Sequence, residues 1–228
     1  MYRLIRHAFK VKIFSKLLGK IRIVKKFFLT RPQTLRLKNF SSKKNMNRIT
    51  FVPSCKNSLE LLSILTNNYN KEEVQIQETL LKKETPVKFI ERMVKLKADI
   101  SEGNVLACHK AIFVGRRLVK IPENEEEVRK LLKLYSGRNH DVHTAVLLKR
   151  IDGGQSLKRT VTRVKVKNLS LNEIEDYVES KLWIGEIGGY AFNTMFEGFI
   201  MKVIGSKTGA EGLPLYETKN LLLNAGVI

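Results

Sequence analysis

Apolar and polar positions along the chain fall into two periods, and the period changes mark the elements. Phe14, Leu17, Leu18, Ile21, Val24 and Phe28 recur at spacings of three and four, with Lys12, Lys16 and Lys20 on another helical face. That pattern predicts an amphipathic basic helix, which Thr30-Arg31-Pro32 ends. Arg48–Pro53 reads as a first strand, followed by a helix over 57–66 and a break at Asn67–Asn70. Val74–Glu78 is expected to be a strand. Pro86 opens a helix to Ile100, with Phe89, Ile90, Met93 and Leu96 as its apolar face. Val105–Val114 is a strand, turned at Gly115–Arg117 into the short return Leu118–Val119, and 123–134 is a helix with acids in its first turn. Asp152-Gly153-Gly154 joins two β-type runs, 142–150 and 158–167, as a hairpin. Helices over 171–179 and 216–225 bracket a last strand, 197–204. Strands alternating with helices around one central hairpin predict an α/β fold, a mixed sheet flanked by helices.

Charge divides this chain in two. Its 228 residues carry 42 Lys or Arg against 22 acids, a net of +20. Residues 1–50 hold 15 of the bases, and the first acid is Glu60. The domains are therefore a basic N-terminal extension, 1–47, and a modestly basic domain, 48–228. Arg-rich, Ser-containing, acid-free and amphipathic, the extension has the composition of a mitochondrial transit peptide. The same bases suit RNA phosphates, whose neutralisation releases counterions, and a helix lying on a membrane surface is a third reading. Two cysteines, Cys55 and Cys108, make no disulfide framework or zinc-finger spacing. No run of about 20 uncharged apolar residues predicts a membrane span.

Gly115-Arg116-Arg117-Leu118, Glu125-Glu126-Glu127-Val128, the run Leu134 to Thr144 (Leu-Tyr-Ser-Gly-Arg-Asn-His-Asp-Val-His-Thr), Gly205-Ser206 and Gly212-Leu213-Pro214-Leu215-Tyr216-Glu217 resemble, in order and spacing, Maf-type nucleoside triphosphate pyrophosphatases over residues 50–226. The resemblance implies a Maf-like mixed sheet in two lobes around a cleft. It also implies metal-assisted attack of water on a nucleoside triphosphate, releasing pyrophosphate and a monophosphate. Such chemistry needs cations and hydroxyls on the phosphates, carboxylates for Mg²⁺ or Mn²⁺, and a base for the water.

Position by position, the family's Ser-rich turn ending in Arg falls on Pro53-Ser54-Cys55-Lys56-Asn57-Ser58, where Ser54 is kept and the Arg positions are Asn57 and Ser58. Its acidic pair falls on Gln77-Glu78, leaving Glu78. Its helical Lys is Lys97, although a lone Lys on a helix of a basic chain is commonly solvated. Its Ala-Asp-Thr, with the Asp expected as metal ligand or base, aligns with Cys108-His109-Lys110. His109 offers no anionic oxygen to Mg²⁺, and Lys110 adds a cation beside the expected metal position. The late Gln is Asn193. In the family geometry Cys55, Cys108 and His109 would line one cleft, and such ligands suit zinc; small buried cysteines are the simpler account.

With the phosphate and metal positions replaced, the sequence alone leads to the expectation of a non-catalytic, Maf-like pseudoenzyme. No catalytic residue, metal or cofactor is expected, with Ser54, Glu78, Lys97, His109 and Asn193 as remnants of the cleft. The extension then suggests a structural component of the mitochondrial ribosome, partnered by ribosomal RNA and neighbouring ribosomal proteins. Arg3, Arg6, Lys10, Lys12, Lys16, Lys20, Arg22, Lys25 and Lys26 would bind the RNA. The alternative is a pyrophosphatase with an atypical site, using Mg²⁺ or Mn²⁺.

Overall fold

The computed structural model describes residues 48–228. The amphipathic helix, the transit-peptide composition and the nine RNA-binding positions expected within 1–47 lie outside the described residues.

Seven strands form one mixed sheet. They are β1 (Ile49–Val52), β2 (Tyr69–Lys71), β3 (Val105–Val114), β4 (Arg117–Val119), β5 (Asn139–Lys149), β6 (Gln155–Val166) and β7 (Ile200–Ile204), in the order β2-β1-β3-β5-β6-β7, with β4 paired to β3. β2, β1 and β3 run parallel, and the pairs from β3 to β7 are antiparallel. The helices are α1 (Lys56–Ser63), α2 (Pro86–Ile100), α3 (Glu125–Tyr135), α4 (Leu171–Glu179), α5 (Lys207–Glu211) and α6 (Leu215–Asn224). Local chemistry accounts for their starts. Thr85 caps α2 ahead of Pro86, Asn124 caps α3, and Ser170 with Glu173 forms a capping box on α4.

β3 organises the packing because its residues alternate between two buried faces. Val105, Ala107, Ala111 and Phe113 pack on Phe89, Ile90, Met93, Val94 and Ala98 of α2. Leu106 and Cys108 turn to the opposite side, against Leu62 of α1 and Leu221 and Leu222 of α6. Farther along, Ile112 joins α3, α4 and an aromatic group of Tyr135, Tyr177, Tyr190 and Phe196. Burial on both faces explains why this run reads as apolar on either side of His109 and Lys110.

One predicted element is displaced. The strand beside β1 is Tyr69–Lys71, overlapping the segment Asn67–Asn70 read as a break, and Val74–Glu78 is not a strand. Val74, Ile76 and Leu80 instead lean their side chains on the α2 cluster, so their apolar spacing reports packing without ladder bonds. The last strand starts at Ile200, because Met195–Phe199 forms a 3-10 turn, and α5 occupies a stretch to which the sequence pattern assigned no element. No described helix is long and apolar enough to cross a membrane.

Candidate active site

β1 stops at Val52, opposite Ala107, so β3 runs on from Cys108 without its parallel neighbour. The chain leaving β1 turns there, and the Lys110 backbone N–H donates to Ser54 Oγ at 2.7 Å. This parting of β1 from β3 opens a cleft of about 790 Å³. Its walls are Pro53–Lys56 and Leu59 on one side, the segment from Lys71 to Glu78 on the other, and Lys97. The volume lies in the range of small-molecule sites.

Lys97 sits in the buried stripe of α2, four residues from Met93 and seven from Ile90, and is only 5% exposed. Its ammonium donates to the carbonyls of Pro53 at 2.9 Å and Cys108 at 3.5 Å. Burial lowers its pKa, opposed in part by Cys108 and Glu78. The expectation of a solvated lysine is therefore corrected. Glu78 faces the cleft with its side chain 46% exposed, and burial raises its pKa against the pull of Lys97. His109 is 1% exposed, with Nε2 at 3.7 Å from the Glu78 carboxylate. Burial, and secondarily Lys97, pushes its pKa down to about 3. A ring neutral at ordinary pH makes that contact a polar approach and no ion pair. Neither ring nitrogen of His109 has a hydrogen-bond partner within the protein.

Ser54, Glu78 and Lys97 line the cleft, and buried His109 does not, reaching it only through its approach to Glu78. Asn193 is exposed and does not line this cleft. The shared zinc geometry is absent, because Cys108 and His109 point to opposite faces of β3. Cys108 Sγ donates to Gly212 O at 2.9 Å, and burial raises its pKa. Both cysteines are free thiols. Among the described residues no group of three or more His, Cys, Asp or Glu could hold a metal ion. Sequence reasoning missed Lys71 and Glu73, an ion pair at 2.5 Å in the cleft wall, and Glu186 and Glu211, which interact with Lys110. None of the four belongs to a quoted motif; only topology brings Lys71 and Glu73 to the cleft and Glu186 and Glu211 within the influence of Lys110.

The family described as Maf-like protein matches residues 57–225, and the chain belongs to that family. Its relatives include a dTTP/UTP pyrophosphatase of Zymomonas mobilis, 42% identical over 66% of this chain and 77% of that protein. A dTTP/UTP pyrophosphatase of Maricaulis maris is 40% identical over 68% of this chain and 76% of its own length. The solved structure of the Staphylococcus aureus Ham1 protein overlaps 52% of this chain and 71% of its own at 12% identity and a TM-score of 0.38. Relatives this similar, named as pyrophosphatases and bacterial, overturn the non-catalytic pseudoenzyme and ribosomal-component readings. They lend no support to a mitochondrial role.

Proposed function

We propose that this chain is a nucleoside triphosphate pyrophosphatase with an altered active site, acting on pyrimidine nucleotides of the dTTP and UTP class. The observation that carries the reading is the convergence of a buried lysine, Lys97, and the Glu78 carboxylate on a nucleotide-sized cleft in a Maf-like chain. The names of the relatives support the substrate class.

Hydrolysis forms a bond from water oxygen to the α-phosphorus and breaks its bond to the bridging oxygen, which leaves with pyrophosphate. Glu78 is the base for that water: it is ionisable, reaches solvent, and its raised pKa strengthens it as a proton acceptor. Lys97 holds positive charge where negative charge develops, and its carbonyl partners fix it in place. His109, neutral and unpartnered, can donate one N–H to Glu78 or to a phosphate oxygen.

The expectation of no cofactor is set aside with the pseudoenzyme reading. The residues present do not make a resident metal cage. Magnesium is commonly held by one or two carboxylates plus substrate phosphates, and one Glu78 oxygen could hold an Mg²⁺ or Mn²⁺ arriving with the nucleotide while the other takes the proton of the water. Such an ion would supply further charge neutralisation on the phosphates.

Full-length protein incubated with dTTP or UTP and Mg²⁺ or Mn²⁺ should release pyrophosphate and the monophosphate together. Glu78→Gln should lower kcat roughly 10²–10⁴-fold as a lost base, and Lys97→Met about 10²–10³-fold as a lost electrostatic group. Release of neither product, or release untouched by both substitutions, would sink the proposal.

A further inference from the structure

His109 leaves β3 on the face that α2 covers, its ring centroid 6.2 Å from that of Phe89. Both of its ring nitrogens are buried without a hydrogen-bond partner. Glu78, which lines the cleft, brings Oε1 to 3.7 Å from His109 Nε2. The imidazole therefore backs the cleft wall at the Glu78 carboxylate. Strand alternation sends Lys110 to the other face, so the extra cation that the sequence set beside this position does not share it.

Buried polar side chains are almost all hydrogen-bonded, and one left open at both of its polar atoms calls for an explanation. A ring that only filled space against Phe89 would serve better as a phenyl, which has no polar atom to desolvate. An imidazole with an open nitrogen beside a carboxylate is instead half of a metal-ligand pair. Donors held about 2.1 Å from one ion lie roughly 3.0–3.4 Å apart. The Glu78 side chain, half exposed at the cleft, can close the small difference. Magnesium takes oxygen ligands and sheds water reluctantly. Imidazole suits the divalent transition metals, whose affinity for mixed nitrogen and oxygen sites rises from Mn²⁺ through Co²⁺ to Ni²⁺.

We propose that His109 Nε2 and Glu78 Oε1 are two ligands for a divalent transition-metal ion carried in by the triphosphate, so that this cleft selects an imidazole-accepting ion over Mg²⁺. Phosphate oxygens complete the shell, which is why two protein ligands suffice where no group of three is present among the described residues. Lys97, whose charge reaches both His109 and Glu78, opposes a resident cation, so the ion is held only together with the phosphates. The inference rests on the pyrophosphatase reading for the nucleotide that brings the ion, and it concerns binding alone. The cysteines take no part, since Cys108 occupies the opposite face of β3.

The test is calorimetric titration of the full-length protein with α,β-methylene-UTP, which cannot be cleaved at that bridge, in saturating Co²⁺ and again in Mg²⁺. Wild type should bind the Co²⁺ complex more tightly than the Mg²⁺ complex. His109→Phe should weaken the Co²⁺ complex by about tenfold or more, the scale on which metal sites answer the loss of one side chain, and should leave the Mg²⁺ complex unchanged. His109→Asp, which supplies an oxygen in place of the nitrogen, should reverse the preference. Pulsed electron paramagnetic resonance of Co²⁺ bound to wild type should show the nitrogen coupling of a directly bound imidazole. Equal affinity for the two complexes in wild type, binding of neither, or Co²⁺ affinity untouched by His109→Phe would overturn the proposal. Should the variants fail to fold, the nitrogen coupling in wild type decides alone, and its absence overturns the assignment. Nitrogen ligation with no release of pyrophosphate from UTP under either ion would remove the hydrolase reading and leave this one. Release of pyrophosphate without nitrogen ligation would do the reverse.

Discussion

Gly212 shows how tightly single residues are set around the cleft. Its φ is +137°, a region that side chains rarely adopt, and a Cβ there would meet Cys55 Sγ at 2.5 Å and Ser58 Oγ at 3.0 Å. Its carbonyl accepts from Ser58 Oγ at 3.3 Å and Cys108 Sγ at 2.9 Å, so one peptide joins the start of α1, the middle of β3 and the approach to α6. Gly212→Ala should destabilise the domain by more than about 1 kcal/mol through strain alone. The clash should also push the Ser54–Ser58 turn off its position and weaken polyphosphate binding. Urea unfolding and titration with tripolyphosphate would check both; a variant with unchanged midpoint and affinity would show that the turn and Gly212 are uncoupled. The glycine itself was visible in the Gly-Leu-Pro-Leu run. Its partners were not, because Cys55, Ser58 and Cys108 lie more than a hundred residues away.

At the scale of elements, α2 and β3 were legible almost to the residue, since both carry long runs whose period is unambiguous. The burial of Lys97 could have been read as well. It continues the spacing of Ile90, Met93 and Val94, and a lysine inside an apolar stripe is a different signal from a lysine in a polar face. Tyr69–Lys71 was not legible, because a three-residue strand with two exposed polar positions carries no period and exists through parallel pairing with β1. Short helical pieces were missed for the same reason. The turn Ile187–Gly189 follows Glu186 and is held from below: Tyr135 Oη donates to Gly188 O at 3.0 Å and Tyr177 Oη to Gly189 O at 3.1 Å. All four groups are buried. Tyr135→Phe or Tyr177→Phe should each cost about 1–2 kcal/mol by leaving a buried carbonyl unpaired. Freed from its anchors, the turn should exchange its amide hydrogens faster while β3 and β5 stay protected. Equal exchange at 187–190 in wild type and variants would show that the tyrosines only fill space.

For the domain as a whole, acid sensitivity follows from where its histidines sit. His109 is held at a pKa of about 3 by burial and by Lys97, and His140, whose Nε2 meets Tyr190 Oη at 2.5 Å, at about 4 by burial. Burial lowers His143 too. A histidine whose folded pKa is depressed contributes its stability fully above the unfolded value, near 6.5, and loses it as pH falls toward the folded value. Between about pH 6 and pH 4.5 the unfolded chain binds protons at His109 and His140 that the folded chain refuses, so each removes about 1.4 kcal/mol per pH unit. Glu78, Glu186 and Glu211 act with the opposite sign. Burial raises their folded pKa values, so taking up protons as pH falls favours the fold. The two terms share the acid range, so the histidine term is read as a difference between proteins. Between about pH 7 and pH 5 the denaturant midpoint of wild type should lose more than that of His109→Gln, by about one histidine's share of the slope. Equal pH dependence in the two would mean that the fold accepts a proton at His109, and the neutral-imidazole role given to it in the cleft would fall with it.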